Sequence, residues 1–389
     1  MKKTPMKILH VGNHTTPCIG GIESVIWGAA KEQSDLGNDV HVLVFNSCTT
    51  GKESLSENEI IEGVAIHRIA QWRPFAFYRA PRVNEKMISL LKQMDIIHVH
   101  GFGGWMDALL FLRPFYKAKL IVQTHGGFFH TPHFAHIKKL YGFWLLFAGR
   151  FIDFLICDSQ NDFDHFSHIA KNKTVLANGV SIQQLLSLPL SGKKMNHFIF
   201  VGRLSQNKQI DKLLDALVIA AKKNATIHLH VVGEDWDQLL ESLKEKARTL
   251  KIQKNVTFHG KTSAEKLEKL YRDSGICVSA SAYEGFGLTA IEGMAAGCIP
   301  ILNDISSFRA FVGEKGRGHL VDYTNPPDAA KQWLECASQP IKKRTQLQQA
   351  CREYARTYDW KHIAQEQLKI YSQTLNAQNT IHSSKGERG

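Results

Sequence analysis

Glu284 and Glu292 bracket the segment Glu284-Gly285-Phe286-Gly287-Leu288-Thr289-Ala290-Ile291-Glu292. The glycines free the backbone amides of Phe286, Gly287 and Leu288 at the start of a helix, where an anion is favoured. A carboxylate at the turn and a second one inside the helix can each accept two hydroxyl hydrogen bonds, which suits a sugar and a ribose. The helix dipole alone would account for Glu284. It does not account for Glu292, set among Ile291, Met294 and Ala295, where an unpartnered charge is costly.

Two further places carry chemistry. Gly202-Arg203-Leu204-Ser205-Gln206-Asn207-Lys208 follows an apolar run, so Arg203 and Lys208 leave the carboxyl end of a strand, where two cations can clamp an anion. The spacing alone allows equally two solvated surface charges. Gly20-Gly21-Ile22-Glu23 opens a helix after the first apolar run, and there backbone and phosphate can approach closely, although such a pair also serves as an ordinary tight turn. Neither the Gly-x-Gly-x-x-Gly spacing nor a Walker motif is present, which argues against dinucleotide redox chemistry and P-loop hydrolysis.

Positioning these residues calls for strands ending in loops and followed by helices. Short aliphatic runs alternate with amphipathic segments, the pattern of a parallel sheet covered by helices. In the first half, strands are expected at 7–12, 40–45, 64–69, 96–100, 120–124, 154–157 and 174–176. Helices are expected at 22–36, at 84–93 and within 133–149. In the second half, strands fall at 197–202, 227–233, 256–259, 276–279 and 299–302, with helices at 210–223, 236–250, 263–273 and 288–296. The Pro/Gly/Ser/Lys-rich stretch 187–196 reads as a linker. The expected organisation is an acceptor-side Rossmann-like domain over 1–190 and a nucleotide-sugar-binding one over 191–355. A helix over 356–376 is expected to pack back on the first domain, followed by a disordered tail over 377–389. Two doubly wound domains of this kind would face each other across a ligand-binding cleft.

The 389 residues fit two domains. A composition of 43% hydrophobic and 22% charged residues belongs to a folded globular chain. The net charge of +12 favours anionic partners. Seven scattered cysteines, without a Cys-x-x-Cys pair or zinc spacing, point to a reducing compartment. The apolar run after the N-terminal lysines is too short for a signal peptide, and residues 141–156 fall short of a spanning helix.

Together, Gly20-Gly21-Ile22-Glu23, Gly202-Arg203-Leu204 with Lys208, and Glu284-x7-Glu292 resemble the retaining glycosyltransferases of family 4, which have the GT-B fold, across about 350 residues. Thr124-His125-Gly126-Gly127-Phe128-Phe129-His130-Thr131 with Cys157-Asp158-Ser159 narrows the likeness to α-mannosyltransferases. These use GDP-mannose to extend cellobiosyl-diphosphopolyprenol in xanthan- and acetan-type exopolysaccharide assembly. The resemblance implies that Arg203 and Lys208 hold the donor diphosphate, with the Gly21 backbone on its other side. Glu284 and the amides of Phe286, Gly287 and Leu288 would hold the transferred sugar, and Glu292 the ribose. His125 would sit at the reaction centre and Ser159 would line the same cleft. The loop Val232-Gly233-Glu234-Asp235-Trp236 lacks a second glycine and a proline that many relatives have there. In the family's usual account the acceptor attacks from the face the phosphate leaves and a phosphate oxygen takes the proton, so Glu284 positions the sugar. A paired-carboxylate glycosidase mechanism is not expected.

No cofactor or metal is expected. Asp162-Phe163-Asp164 and Asp235-Trp236-Asp237 have the Asp-x-Asp form, but two-residue matches arise by chance and the first suits a helix cap. The histidines at 98, 100, 125, 130, 133 and 136 lack a metal framework and suit turn and cleft roles. Between Arg68 and Arg150, twelve cations face three acids, with aromatics such as Trp72, Phe111, Phe115, Phe143 and Trp144 interleaved. That mixture suits an anionic inner-membrane surface and a polyprenyl-diphosphate-linked saccharide acceptor; otherwise the aromatics are core and the charges solvated faces. The expected function is mannosyl transfer from GDP-mannose by a peripheral protein of the cytoplasmic membrane face. One alternative keeps the fold but takes a UDP-glucose or UDP-N-acetylhexosamine donor and a lipid-linked or lipopolysaccharide acceptor. A more distant one is a nucleic-acid-binding protein; no nucleic-acid recognition motif supports it.

Overall fold

A computed structural model describes residues 5–18, 20–48, 54–75, 78–126, 135–312 and 316–383. The chain divides into two compact units, one formed by 1–179 with 360–389 and the other by 180–359.

Unit 1 contains β1 (Lys7–Val11), α1 (Gly21–Asp35), β2 (Asp39–Phe45), β3 (Asn58–Ile61), β4 (Val64–Ile69), β5 (Gln71–Phe75), β6 (Tyr78–Pro81), α2 (Glu85–Gln93), β7 (Ile96–His100) and α3 (Gly104–Phe111). It continues with β8 (Lys119–Gln123), α4 (Ala135–Ala148), β9 (Phe154–Cys157), α5 (Gln160–Phe166) and β10 (Lys173–Val175). Eight strands form one sheet in the order β10-β9-β8-β7-β1-β2-β4-β3. All pairs are parallel except β3 with β4, and β5 with β6 forms a separate antiparallel hairpin. Strand order reverses at β1 and β7, where doubly wound sheets bind ligands.

Unit 2 contains α6 (Gln183–Leu186), β11 (Lys194–Val201), α7 (Ile210–Lys223), β12 (His228–Val232), α8 (Leu240–Thr249), β13 (Val256–Gly260), α9 (Ala264–Asp273) and β14 (Ser274–Ser279). After these come α10 (Leu288–Ala295), β15 (Ile299–Asn303), α11 (Ser306–Arg309), β16 (His319–Val321), α12 (Pro326–Ala337) and α13 (Ile341–Arg356). Its six strands are all parallel, in the order β13-β12-β11-β14-β15-β16, and the order reverses at β11 and β14. One face packs Phe198, Phe200, Leu213, Leu217, Ile276 and Trp333 into a continuous core.

The last helix, α14 (Trp360–Ser383), belongs to unit 1. It seats Ile370 and Tyr371 against Ile8, Ile26 and Val42, and the Trp360 indole fills the space a Cβ would need at Gly28 and Gly179.

Several expectations need correction. Residues 187–196 are not a linker: Leu188 is buried with Ile199 and Tyr271, and the buried Lys193 donates from Nζ to the carbonyls of Tyr271 (2.6 Å) and Ser274 (3.1 Å). The polar composition hid anchors that unit 2 uses. The tail expected to be disordered over 377–389 is helical through Ser383, and its residues 384–389 lie outside the described ones; no Gly or Pro interrupts it before Gly386, and extending an existing helix needs no new nucleus. The helix expected from 236 begins at Leu240, because the Asp235 carboxylate accepts from the amides of Leu239 and Leu240 ahead of it. Cys18 and Cys48 form a disulfide, and their separation of 30 residues gave no pairing signal. Elements β3, β5, β6, β16, α3, α6, α11, α12 and α13 were not expected; most of these are short, charged or Gly-led runs that carry little periodicity.

Candidate active site

The site residues of unit 2 gather where β11 and β14 end. Gly202 leaves β11 with φ 159°, and a Cβ on Gly233, at the end of β12, would lie 1.8 Å from the Gly202 carbonyl oxygen. Only glycine allows these two loops to approach so closely. Beyond them the exposed Arg203 guanidinium stacks 4.7 Å from the Trp236 ring centroid. Lys208 turns inward and places Nζ 2.5 Å from Glu284 Oε1. The same oxygen accepts from Ser281 Oγ at 2.8 Å. Asn207 pins the two loops together: its carbonyl accepts from the Ala282 amide (2.9 Å) and its Nδ2 donates to the Tyr283 carbonyl (2.8 Å).

The turn after Glu284 is open. A Cβ on Gly285 would meet nothing within 4 Å. Gly287 is the left-handed N-cap of α10 (φ 96°), and a Cβ there would run into Phe308 at 2.8 Å and Phe311 at 3.0 Å. Phe286 packs on Phe311 and Tyr358, so the amides of Phe286 to Leu288 rest on an aromatic base. Glu292 lies one turn into α10. Burial pushes its carboxyl up to about 7, opposed by the hydrogen bond from the Tyr271 hydroxyl, 3.3 Å from Oε2. The structure therefore joins Lys208 to Glu284, sets Arg203 on the same loop as Lys208 and Phe286 and Gly287 on the turn after Glu284, and carries Leu288 and Glu292 on α10, which that turn opens.

Unit 1 carries the other expected residues. Gly21 opens α1, and a Cβ there would meet nothing within 4 Å, so its backbone is exposed. His125 follows β8 in a left-handed conformation (φ 47°), which is costly for a residue with a Cβ. Asp162 holds it there, accepting from the Gly126 amide (2.9 Å) and from the Thr124 hydroxyl. The His125 side chain is only 3% exposed. Its Nδ1 donates to Asp158 Oδ2 at 2.8 Å, and its Nε2 lies 2.9 Å from His100 Nδ1. Ser159 is the N-cap of α5, its Oγ accepting from the Asp162 amide.

The Asp-x-Asp pairs serve the backbone. Asp162 ties the 124–126 loop, Asp235 caps the start of α8, and Asp237 accepts from the Gln206 amide at 2.9 Å. His10, His98 and His100 bring ring nitrogens within 4.8 Å of one another, yet both nitrogens of His10 already face hydrogen-bond partners, His100 and Gln33. The residues that sequence reasoning missed are Asp158 as the partner of His125, Asp162 as the anchor of its loop, and the buried His10 and Gln33 behind it. Of these only Asp158 and Asp162 carried a signal, being close in sequence to Ser159.

Comparison with known proteins agrees with this geometry. Residues 19–184 match the model of Glycosyltransferase Family 4, and 189–358 match Glycosyl transferases group 1. The chain is 30% identical to a GDP-mannose:cellobiosyl-diphosphopolyprenol alpha-mannosyltransferase of Xanthomonas oryzae, over 95% of this chain and 97% of that protein. It is 27% identical to the protein of the same name in Komagataeibacter xylinus, over 95% and 94%. In fold it is similar to a sucrose-phosphate synthase from Thermosynechococcus elongatus (TM-score 0.71, 18% identity, covering 96% and 100%). It is likewise similar to Anabaena HepE in complex with UDP (TM-score 0.74, 18% identity, covering 95% and 100%). With paired Rossmann-like sheets, a Lys208–Glu284 cluster at the switch point of the second, and matches along almost its whole length, this chain belongs to the family 4 glycosyltransferases of GT-B fold.

Proposed function

We propose that the protein moves mannose, with retention, from GDP-mannose to a polyprenyl-diphosphate-linked saccharide in exopolysaccharide assembly. It does so without a metal ion, as a peripheral protein on the cytoplasmic face of the cell membrane. The observation that carries the chemistry is the Lys208–Glu284–Ser281 cluster beside the open 285–287 turn. A nucleoside diphosphate is a good leaving group once its growing charge is met by fixed cations and amide dipoles. Arg203, Lys208 and the amides heading α10 supply those, in place of a divalent cation. Lys208 and Ser281 both hold Glu284 Oε1 and fix the carboxylate in place, so on this reading Glu284 orients sugar hydroxyls. Glu292 takes the ribose diol. The C1–phosphate bond breaks as the acceptor oxygen bonds to C1 from the same face, and the acceptor proton passes to a phosphate oxygen. On unit 1, the family resemblance gives Gly21 the diphosphate and His125 and Ser159 the sugar.

The names of the relatives support the donor and acceptor chemistry. The membrane reading is supported by the surface of unit 1. Inside, Tyr141 and Trp144 on α4 donate to Asp107 on α3. Outward, α4 and its neighbours expose Phe111 (72%), Phe115, Leu140 (72%), Phe143, Leu146, Phe147 and Phe151, with Arg150 stacked on Phe147. Exposed aromatics with Lys117 and Arg150 on the same segments suit an anionic bilayer surface. Other aromatics of the segment, Trp105 and Tyr116, are core. Among the described residues no helix is long and apolar enough to cross a membrane.

The test is a thermal-shift panel with GDP, UDP, ADP and their sugar conjugates, with and without EDTA, followed by transfer to a lipid-linked acceptor. The expected result is stabilisation by GDP and GDP-mannose that EDTA does not change. A uridine preference would replace the donor, and no shift with any nucleotide would overturn the reading.

A further inference from the structure

Behind His125 runs a chain of hydrogen bonds through the interior of unit 1. His100 Nδ1 faces His125 Nε2 at 2.9 Å, His100 Nε2 faces His10 Nδ1 at 2.9 Å, and His10 Nε2 faces Gln33 Oε1 at 3.0 Å. Gln33 is held from its other end, its Nε2 donating to Gln367 Oε1 (2.7 Å) and the Tyr371 hydroxyl (3.3 Å) on α14. His10 sits on β1, His100 on β7 and Gln33 on α1, all three buried. Successive residues of the chain thus come from four elements that the fold packs at one place.

Every ring nitrogen of His100 and His10 thus has a partner inside unit 1. Burial lowers the His10 imidazole to about 4 and the His100 imidazole far below the ordinary range, so both stay neutral. On the other side of His125, Asp158 is held in place. Its oxygens accept from Gln123 Nε2 (2.7 Å), Asn178 Nδ2 (2.6 Å) and His125 Nδ1 (2.8 Å).

We propose that His100 is a positioning residue for His125, engaging its Nε2 while Asp158 engages Nδ1, so that the ring is fixed and neither nitrogen is free to act as a base. The proposal rests on the reading that places His125 at the reaction centre, and it assigns the ring's part there. With both nitrogens engaged inside unit 1, the imidazole cannot take the acceptor proton. It contributes a rigid wall, and the proton is left to the phosphate.

The full-length protein with nitrogen-15-labelled histidine tests this by NMR of the ring nitrogens near neutral pH, with His125→Asn to assign the signals. Wild type is expected to show both His125 nitrogens hydrogen-bonded. His100→Leu should release Nε2 alone and lower kcat roughly ten- to hundredfold without changing the donor KM. His100→Asn, whose side-chain amide can bond where Nδ1 did, should restore both the spectrum and most of the rate. If His100→Leu does not fold, His10→Leu is the substitute, breaking the same chain one link further back. A His125 Nε2 without a hydrogen bond in wild type, or an unchanged spectrum in both apolar variants, would overturn the proposal. The expected spectral change with an unchanged kcat would support the relay and instead overturn the placement of His125 at the reaction centre.

Discussion

Lys208 Nζ lies 2.5 Å from Glu284 Oε1, joining the loop after β11 to the turn before α10. Both side chains are mostly buried, at 16% and 14% exposure, so each is the other's main compensation for lost hydration. Removing either leaves an uncompensated charge as well as a missing contact. Lys208→Met and Glu284→Gln are each expected to lower kcat by about 10²–10³-fold. The double variant should lose far less than the product of the two, because the residues act as a unit. Transfer rates for the three variants check this, and full additivity would show that the pair is not coupled.

Glu292 gives stability a pH dependence of known sign. Its carboxyl is raised by burial from 4.5 to about 7 in the folded protein. Between those values the folded form keeps a proton that the unfolded chain has lost, so stability falls as pH rises through that window and then levels off. Glu292→Gln should therefore be more stable than wild type above pH 7, by up to about 3 kcal/mol. The difference should vanish towards pH 4.5. Urea melts across this range measure it. Weaker GDP binding by the same variant is expected if the carboxylate holds the ribose.

Phe143 and Phe147 point outward from α4, 65% and 51% exposed. Replacing both with Asp should leave the melting temperature nearly unchanged, since little burial is lost, and should cut binding to anionic vesicles by about tenfold or more. Vesicle sedimentation reads the outcome. Wild-type binding by the double variant would remove this face from the membrane reading.

Five cysteines are free and buried, while Cys18 and Cys48 are bonded. Burial raises the thiols of Cys157 and Cys336 to about 12, so the native protein should react slowly with thiol reagents. Denatured without reductant, it should show five reactive thiols if the bond persists where the protein works. Seven would place it in a reducing compartment. With the bond intact, Cys48→Ser is expected to cost about 3 kcal/mol.

Much of this architecture was legible because local pattern and tertiary fold agree. Helix α7 occupies the expected 210–223, where an amphipathic repeat is bounded by Gln209 and Asn224. Glu284 and Glu292 could be singled out because a glycine turn before an apolar helix makes charge conspicuous. What escaped was pairing at long range. Nothing in the sequence joins Gln33 to Gln367 or His98 to Tyr371, since each pair meets only after a parallel sheet and a returning helix have assembled. The hairpin β5–β6 escaped for a local reason: Trp72-Arg73-Pro74-Phe75 offers no alternation.

The return of α14 to unit 1 also has a consequence for how the chain folds as it is made. Unit 2 is one uninterrupted stretch, 180–359, whereas unit 1 needs residues from both sides of it. The sheet carrying His10, His98 and His100 emerges first from the ribosome, yet Tyr371 and Gln367, which close over those rings, come last. The part of the protein synthesised earliest is thus completed latest, and its polar interior waits for a partner on the far side of a whole domain.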